Sequence, residues 1–444
     1  MSREAIYLPL LLVALLVFGG CRRAAPPSFT PGPEVQALTA ELEDADEKKL
    51  YQGLQSQIAS LLSKYVGSPD KIKMLGETEE DDSSDLKLGY QLYSRYCVQC
   101  HGVNGDGMGA VAEHLNPKPR NYTHGIFKFT STPYGSKPRR SDLMQTVRRG
   151  VTGTSMPSFD RFSVEELGAV VDYVLALTHR GELERTLAMT AYDDEELPDE
   201  EGVEELIEGI MEPWRNASTE LVMPSTVMPP MTEESVRAGH KIFLKQACNK
   251  CHGTFGRGGS MGNVEVGADA WGYKTAAADL SSGMFRGGGR PIDLWRRINS
   301  GINGTPMPAF EKTFADNPEA IWQLVHFIKQ TGSRRRFGQP PLSEADLPID
   351  DAEVAAPAVS EEVEDEEAAE EEAPAEGDAT DAESSENAES SEETESSEPA
   401  EETGEEESAE PEEEAAPETE AAEEESQPSE ESEEPVAPTS NESA

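Results

Sequence analysis

Cysteine and aromatic residues, which stabilise many protein folds, are scarce in this 444-residue sequence. It has only 5 cysteines, and aromatic residues make up 6% of the chain. Five cysteines are too few for a disulfide-rich scaffold. The longest apolar run, residues 6–18, would form about 20 Å of helix, against a bilayer core of roughly 30 Å. The sequence therefore predicts neither a disulfide framework nor a retained membrane span.

Basic and aromatic residues are absent from the last part of the chain. Residues 341–444 contain 43 Asp and Glu but no Lys, Arg, Phe, Trp or Tyr. Such a segment buries too little apolar area to offset the entropy lost on ordering. We predict a disordered acidic tail over residues 334–444, which either keeps the protein soluble or attracts a basic partner. Residues 1–340 carry 37 basic and 44 acidic side chains, a balance that does not favour nucleic-acid binding.

The N-terminus has the order of an export signal. Arg3 precedes the apolar run of residues 6–18, and Gly19-Gly20-Cys21 follows it. A Cys after two small residues resembles the lipobox of bacterial lipoproteins, so residues 1–20 are predicted to be a signal peptide and Cys21 to be lipidated. Phe18 is bulkier than the Leu or Val usual in that motif, which leaves a soluble exported protein as the alternative. Both predict a location on the periplasmic side of a bacterial membrane, and lipidation would tether the chain there.

An internal repeat sets the predicted architecture. Residues 97–101 read Cys-Val-Gln-Cys-His, and residues 248–252 read Cys-Asn-Lys-Cys-His, 151 positions later. The same displacement brings Gly-Thr-Ser-Met-Pro-Ser-Phe at 153–159 onto Gly-Thr-Pro-Met-Pro-Ala-Phe at 304–310. Agreement across two distant segments predicts two copies of one structural unit.

Helical patterns precede and follow these motifs in each copy. Gly89 stands four residues before Tyr93, as Gly239 does before Phe243, so each pair shares a helical face on which the Gly permits close approach of another helix. Residues 162–166 form a capping box with an apolar residue ahead of it. Apolar stripes follow in both copies: Leu167, Val170, Val171, Val174 and Leu175 in the first, and Ile321, Leu324, Val325 and Ile328 in the second.

These patterns predict an all-α protein with two similar domains, at 86–180 and 232–333. Residues 181–231 are predicted to be a linker with one or two short helices. Residues 21–85 are predicted to hold a linker and a long amphipathic helix, over about 34–66, that packs against the first domain.

A Cys-x-x-Cys-His pentapeptide is typical of a c-type haem attachment site. On one helical turn, Cys97 and Cys100 can reach the two vinyl groups of a haem, while His101 turns its imidazole toward the iron. Cys248, Cys251 and His252 repeat the arrangement. A zinc site, a redox dithiol and a disulfide are the alternatives, but zinc needs four ligands and a thioredoxin-like dithiol needs a βαβ context. We therefore expect two haem C groups, which supply much of each core.

Methionines are the best candidates for the second axial ligand. Met156 and Met307 each lie 55 residues after their His and directly before a Pro, in irregular segments suited to presenting a sulfur atom. His/Met ligation raises the reduction potential, as suits an electron carrier. The other candidate ligands that remain open are Met108, His114, His124, His179, Met261, Met284 and His326.

On these motifs the sequence resembles the class I cytochrome c family in a tandem dihaem form. The resemblance covers about 200 residues and implies crossed N- and C-terminal helices, haem C, and electron transfer between membrane complexes. The phrase at 127–133, Phe-Lys-Phe-Thr-Ser-Thr-Pro, is seen in some bacterial respiratory cytochromes. In the family a Pro carbonyl often holds the proximal His; Pro117 or Pro119 is the candidate in the first copy, but the second has no Pro between His252 and Pro291. Either another carbonyl orients His252, or the second haem is tuned differently.

The function favoured by the sequence is electron transfer between respiratory partners, such as a quinol-oxidising complex, a terminal oxidase or a small cytochrome. Tyr122, Tyr273, Arg120, Arg286 and Arg290 are candidates to contact haem propionates, with ordinary surface placement as the alternative. No catalytic residue is required. Two other functions stay open: a dihaem peroxidase or thiosulfate-oxidising enzyme with one open haem, and a tethered subunit of a larger oxidase or quinol-oxidising complex.

Overall fold

The computed structural model of the chain describes residues 28–76, 85–258 and 265–349, which belong to a single compact unit. The predicted signal peptide, Cys21, Met261 and the acidic tail from residue 350 onward lie outside the described residues. Helices dominate, as predicted, and the strands form two short antiparallel hairpins. None of the helices in the described ranges is long and apolar enough to cross a membrane.

The first half of the structure contains seven helices within the described ranges. They are α1 (Pro33–Ala37), α2 (Ala45–Tyr65), α3 (Leu86–Tyr96), α4 (Val98–His101), α5 (Arg140–Arg149), α6 (Val164–Asp194) and α7 (Glu200–Ala217). The hairpin of β1 (Gly67–Ser68) and β2 (Lys71–Ile72) separates α2 from α3, and a 3₁₀ turn covers Ala112–His114.

The second half repeats the core of the first. Its helices are α8 (Glu233–Lys245), α9 (Asn249–His252), α10 (Pro291–Asn299) and α11 (Glu319–Arg336). Between α9 and α10 lie the hairpin of β3 (Glu265–Ala268) and β4 (Lys274–Ala276) and a 3₁₀ turn at Leu280–Ser282.

In each copy an early helix packs against the last, as the resemblance implies. Gly89 in α3 faces the backbone of α6 at Ala169, and Gly239 in α8 faces that of α11 at Gln323. A Cβ at either glycine would press into the opposite carbonyl, so only Gly allows this spacing. Every residue of the two predicted apolar stripes is buried, and the capping box of α6 forms between Ser163 and Glu166.

The N-terminal helix prediction is correct in its packing but wrong in its continuity. The chain leaves helical conformation between α1 and α2, and Gln55 Nε2 donates to the Val35 carbonyl at 2.6 Å, which holds the two helices together. Both pack against α6, with Val35, Leu54 and Ile58 buried.

Two predicted segment boundaries fall inside ordered structure. The first domain was expected to end at residue 180, but α6 continues to Asp194 and α7 follows it with 18 residues. The acidic tail was expected to begin at residue 334. Instead, Leu342 and Leu347 are buried in the second core, and Arg334 pairs with Asp346 at 3.1 Å. Both discrepancies arise because apolar residues outside the repeat extend the two cores.

Candidate haem sites

Each Cys-x-x-Cys-His motif forms a single helical turn. The His101 amide donates to the Cys97 carbonyl at 2.9 Å, and the His252 amide donates to that of Cys248, also at 2.9 Å. One turn therefore carries two thiols and an imidazole in both copies. The four cysteines of these motifs form no disulfide with one another.

A main-chain carbonyl orients each histidine ring. His101 Nδ1 donates to the carbonyl of Arg120 at 3.1 Å, and His252 Nδ1 donates to that of Ala278 at 3.0 Å. The expectation that Pro117 or Pro119 supplies this carbonyl is wrong, because the acceptor is the next residue after Pro119. The expectation of another carbonyl for His252 is confirmed. Both bonds fix the ring tautomer with the proton on Nδ1, which leaves Nε2 as the nitrogen that could bind a metal.

The ring of His101 is more enclosed than that of His252. It is buried and stacks on Tyr122, with centroids 4.8 Å apart. Burial lowers the pKa of His101 to about 4, so the ring is neutral, which is the form that binds a metal. Burial also lowers the pKa of His252, whose residue is partly exposed.

The chain after each motif wraps closely because specific glycines adopt positive φ. Gly102 and Gly253 have φ of 77° and 69°, and Gly105 and Gly256 both have φ of 75°. A Cβ at Gly105 would lie 2.9 Å from the Tyr122 ring. These glycines let the backbone turn tightly after each His, where a side chain at Gly105 would clash with Tyr122.

The two methionine segments share one set of hydrogen bonds. In the first copy, the Val151 amide donates to the Met156 carbonyl at 3.2 Å, and the Met156 amide donates to Thr154 Oγ1 at 3.2 Å. In the second, Ile302 and Met307 are joined in the same way at 3.2 Å, and the Met307 amide donates to Thr305 Oγ1 at 3.3 Å. Both methionines are partly buried. Met156 and Met307 therefore stand at the same point of two identically built turns.

Most of the other candidate ligands occupy ordinary structural positions. His114 and Met108 are exposed, His114 beside Glu113, and Met284 is half-exposed. His124 lies 3.9 Å from Glu34. His326 lies on α11, as predicted, with Nδ1 2.9 Å from Ser235 Oγ.

His179 is different, because its ring is buried and neither nitrogen has a hydrogen-bond partner among the described residues. It lies on α6 against the edge of Trp214, with centroids 4.8 Å apart. The propionate candidate Arg290 is paired with Asp293 at 2.8 Å.

Tyr122 and Tyr273, which coincide under the 151-residue shift, are not equivalent in space. The Tyr122 amide donates to Gly105 at 2.7 Å, and the matching bond in the second copy runs from Leu280 to Gly256, also at 2.7 Å. Tyr273 instead lies in the turn between β3 and β4 and is exposed.

The constant shift conceals two insertions that compensate. The offset from Tyr122 to Leu280 is seven residues longer than 151, because the second copy contains the β3–β4 hairpin. The offset returns to 151 at Arg139 and Arg290, the N-cap residues of α5 and α10, because residues 126–138 form a longer segment than their counterpart. A constant shift of 151 residues therefore aligns the Cys-x-x-Cys-His turns and the methionine turns of the two copies, but it misaligns the residues around Tyr122.

The thiols do not have the properties of a redox dithiol. Burial raises the pKa of Cys97 to about 12 and that of Cys248 to about 11, whereas reactive dithiols have lowered values. Among the described residues no cluster of three or more His, Cys, Asp or Glu is arranged to hold a metal ion, so nothing there supports the zinc alternative. Two cysteines on one helical turn beside an oriented imidazole fit covalent haem attachment.

Comparisons with known proteins agree with this geometry. Residues 84–174 match the family described as cytochrome c oxidase, cbb3-type, subunit III, and residues 236–332 match the cytochrome c family. The cbb3-type cytochrome c oxidase subunit FixP of Azorhizobium caulinodans is 28% identical over 145 residues, which cover 32% of this chain and 44% of that protein. The chain thus spans less than half the length of this curated relative.

A solved structure, the Kuenenia stuttgartiensis reducing HAO-like protein complex, is 29% identical to this chain. The likeness has a TM-score of 0.43 and covers 59% of this chain and 99% of that chain.

The repeated helix pairs, the motif geometry and the family matches define the class of protein: the chain carries two cytochrome c-type domains in tandem. The first domain matches the model described as cbb3-type subunit III, and the second matches the cytochrome c model. Domains of this class hold haem c through thioether bonds, and the residues described above fit that group.

Proposed function

We propose that the protein is a dihaem electron carrier, with one haem c in each domain. Cys97 and Cys100 would hold the first haem, and Cys248 and Cys251 the second. The observation that carries the proposal is the duplicated geometry: a carbonyl-oriented imidazole and a methionine turn with the same hydrogen bonds occur in both copies. Bound haem c supplies a one-electron iron couple.

The axial ligands proposed are His101 with Met156, and His252 with Met307. The Nδ1–H bonds to Arg120 and Ala278 hold each imidazole in the tautomer that presents Nε2, and they raise its basicity as a ligand. Two protein ligands would leave no open position for a substrate, so the task of the chain is to fix potential and geometry. The protein is accordingly not an enzyme in this proposal.

Respiratory redox proteins are the proposed partners. The relative FixP is named as a subunit of a cbb3-type cytochrome c oxidase. We extend this to a terminal oxidase as electron acceptor, with a quinol-oxidising complex or a small cytochrome as donor. Export and lipid attachment at Cys21, on the periplasmic side of the membrane, complete the proposal and would place the haems beside such complexes.

Visible and electron paramagnetic resonance spectra of the full chain test the proposal against a dihaem enzyme. Two low-spin haems that do not bind cyanide or peroxide are expected. A high-spin haem that binds either ligand would contradict the carrier function and support a peroxidase or thiosulfate-oxidising enzyme.

A further inference from the structure

The two domains meet at the peptide segment that orients His101. The Trp271 indole, in the turn between β3 and β4, donates its N–H to the carbonyl of Asn121 at 3.2 Å. The Arg120 guanidinium lies over the same indole, 3.4 Å from a ring centroid. Arg120 also supplies the carbonyl that accepts the His101 hydrogen bond. A side chain of the second domain thus contacts both Arg120, whose carbonyl orients the first histidine, and its neighbour Asn121.

The turn that carries Trp271 is itself rigidly held. One carboxylate oxygen of Asp269 accepts from the Trp271 and Tyr273 amides at 3.1 and 3.0 Å. The other pairs with Lys128 of the first domain at 2.8 Å, and the Asp269 side chain is 5% exposed. A buried charge with this many partners fixes the position of the indole.

Trp271 also rests on the second methionine turn. The Ala270 amide donates to the Gly304 carbonyl at 3.0 Å, and a Cβ at Gly304 would stand 2.9 Å from the indole. Asn303 in the same turn bonds the first domain through Gly135 N at 2.9 Å and Ser136 O at 3.2 Å. The interface therefore joins the His101 side of one site to the Met307 turn of the other.

In the described part of the chain, no aromatic side chain holds the segment that orients His252 in the way that Trp271 holds the Arg120–Asn121 segment. Ala278, which supplies the carbonyl for His252, is exposed and has only a methyl side chain. The contact at Trp271 therefore distinguishes the first site from the second and is not a general requirement of the fold.

We propose that Trp271 is a positioning residue for His101: the indole fixes the Arg120–Asn121 segment, so that the reduction potential of the first haem depends on docking of the second domain. This inference rests on the proposed function. A well-aligned Nδ1–H···O=C bond raises the basicity of the imidazole and stabilises the oxidised iron. Misalignment of the Arg120 carbonyl should therefore weaken this bond and raise the reduction potential of the first haem.

The test is Trp271→Phe in the full holoprotein. Phenylalanine keeps an aromatic face for Arg120 but removes the N–H donor to Asn121. The variant is made in a Met307→Ala background, so that the sulfur-to-iron absorption band reports the first haem alone. Potentiometric titration at that band measures the potential, and paramagnetic NMR follows the His101 ring protons.

Trp322→Phe is the matched control. Trp322 is buried in the second domain, and its indole donates to the Thr226 carbonyl at 3.0 Å. The Trp322→Phe variant loses the same kind of indole-to-carbonyl hydrogen bond, but the lost bond does not involve the Arg120–Asn121 segment. We expect a positive shift of potential and moved His101 resonances with Trp271→Phe, and neither with Trp322→Phe.

If Trp271→Phe does not accumulate, Asn303→Ala tests the same interface without changing charge and should shift the potential in the same direction. A potential equal to that of the Met307→Ala parent, in whichever of the two variants accumulates, overturns the dependence of the first haem on this interface, while two low-spin haems in the unaltered protein would leave the proposed function intact. A parent protein without two covalent haems would contradict the proposed function and this inference together.

Discussion

Gly89 of α3 lies so close to α6 that a Cβ added to it would stand 2.8 Å from the Cβ of Tyr173. In the second domain, a Cβ on Gly239 would stand 3.1 Å from that of Phe327. The same pair of helices is therefore joined at a glycine in both domains. Each joint positions the Cys-x-x-Cys-His turn that follows the early helix.

Gly89→Ala and Gly239→Ala should each destabilise the domain that contains them by about 1–3 kcal/mol, the usual cost of overpacking. The clash is with main-chain carbonyls, which cannot move aside as a flexible side chain can. Urea denaturation followed by haem absorbance measures the free energy of unfolding. Gly53→Ala in α2 is the control, because nothing lies within 4 Å of its added Cβ; it should gain roughly 0.5–1 kcal/mol. Equal stabilities of all three variants would refute the packing argument.

Glu184→Gln should destabilise the protein by about 3 kcal/mol. Arg180 and Glu184 are paired within α6 at 2.9 Å with side chains 3% and 7% exposed, so the change leaves a buried guanidinium without its counter-charge. Glu184 also accepts from the Gly32 amide at 3.2 Å, so residues 28–38 should become more sensitive to limited proteolysis. Glu233→Gln is the control: it breaks an exposed pair with Arg237, which is also four residues away in sequence. This change should cost less than about 0.5 kcal/mol. Similar losses in both variants would contradict this account.

The buried ring of His179 should make stability depend on pH. Burial lowers the pKa of His179 to about 3, with the positive charge of Lys137 acting in the same direction. Between the ordinary pKa of about 6.5 and this value, the unfolded chain binds a proton that the folded chain does not. Stability therefore falls as the pH falls through this range, by up to about 1.4 kcal/mol per pH unit.

His179→Leu removes the titrating imidazole, so the unfolded variant cannot bind the extra proton at this position. Unfolding free energies measured from pH 8 to pH 4 should show wild type losing stability faster than the variant below about pH 6.5, and parallel behaviour above it. Curves that stay parallel throughout would show that His179 is not held neutral.

Replacing the proposed axial methionines should affect the haems one at a time. Met156→Ala and Met307→Ala should each remove about half of the sulfur-to-iron absorption band and leave one low-spin haem, because each sulfur is proposed to bind one iron. Met108→Ala changes an exposed methionine of the first copy and should leave the spectrum unaltered. A band that keeps its full intensity in either of the first two variants would exclude that methionine as a ligand.

Sequence patterns predicted the elements whose signals are local. The capping box at Ser163, the helix-crossing glycines and the buried stripe of α6 each depend on spacing within one or two turns, and the structure shows all of them. The repeat also identified the Cys-x-x-Cys-His turns and the methionine turns, because the two insertions between them are equal in length and leave the distance the same in both copies.

Features that depend on tertiary contacts were not predictable in this way. Two insertions of seven residues cancel, so counting aligned Tyr122 with Tyr273 instead of Leu280. The acceptor for His101 is a main-chain carbonyl, which carries no side-chain signal, and the charge of the Arg120 side chain indicates only a propionate partner. Trp271 was missed because its role arises from contact between domains.

The central claim is that each domain binds one haem through its two cysteines. A pyridine haemochrome assay on purified full-length protein, normalised to protein by amino-acid analysis, measures this directly. The account predicts two covalently attached haem c groups per chain, falling to one when Cys97 and Cys100 are both changed to alanine. Fewer than two groups in the unaltered protein would contradict it.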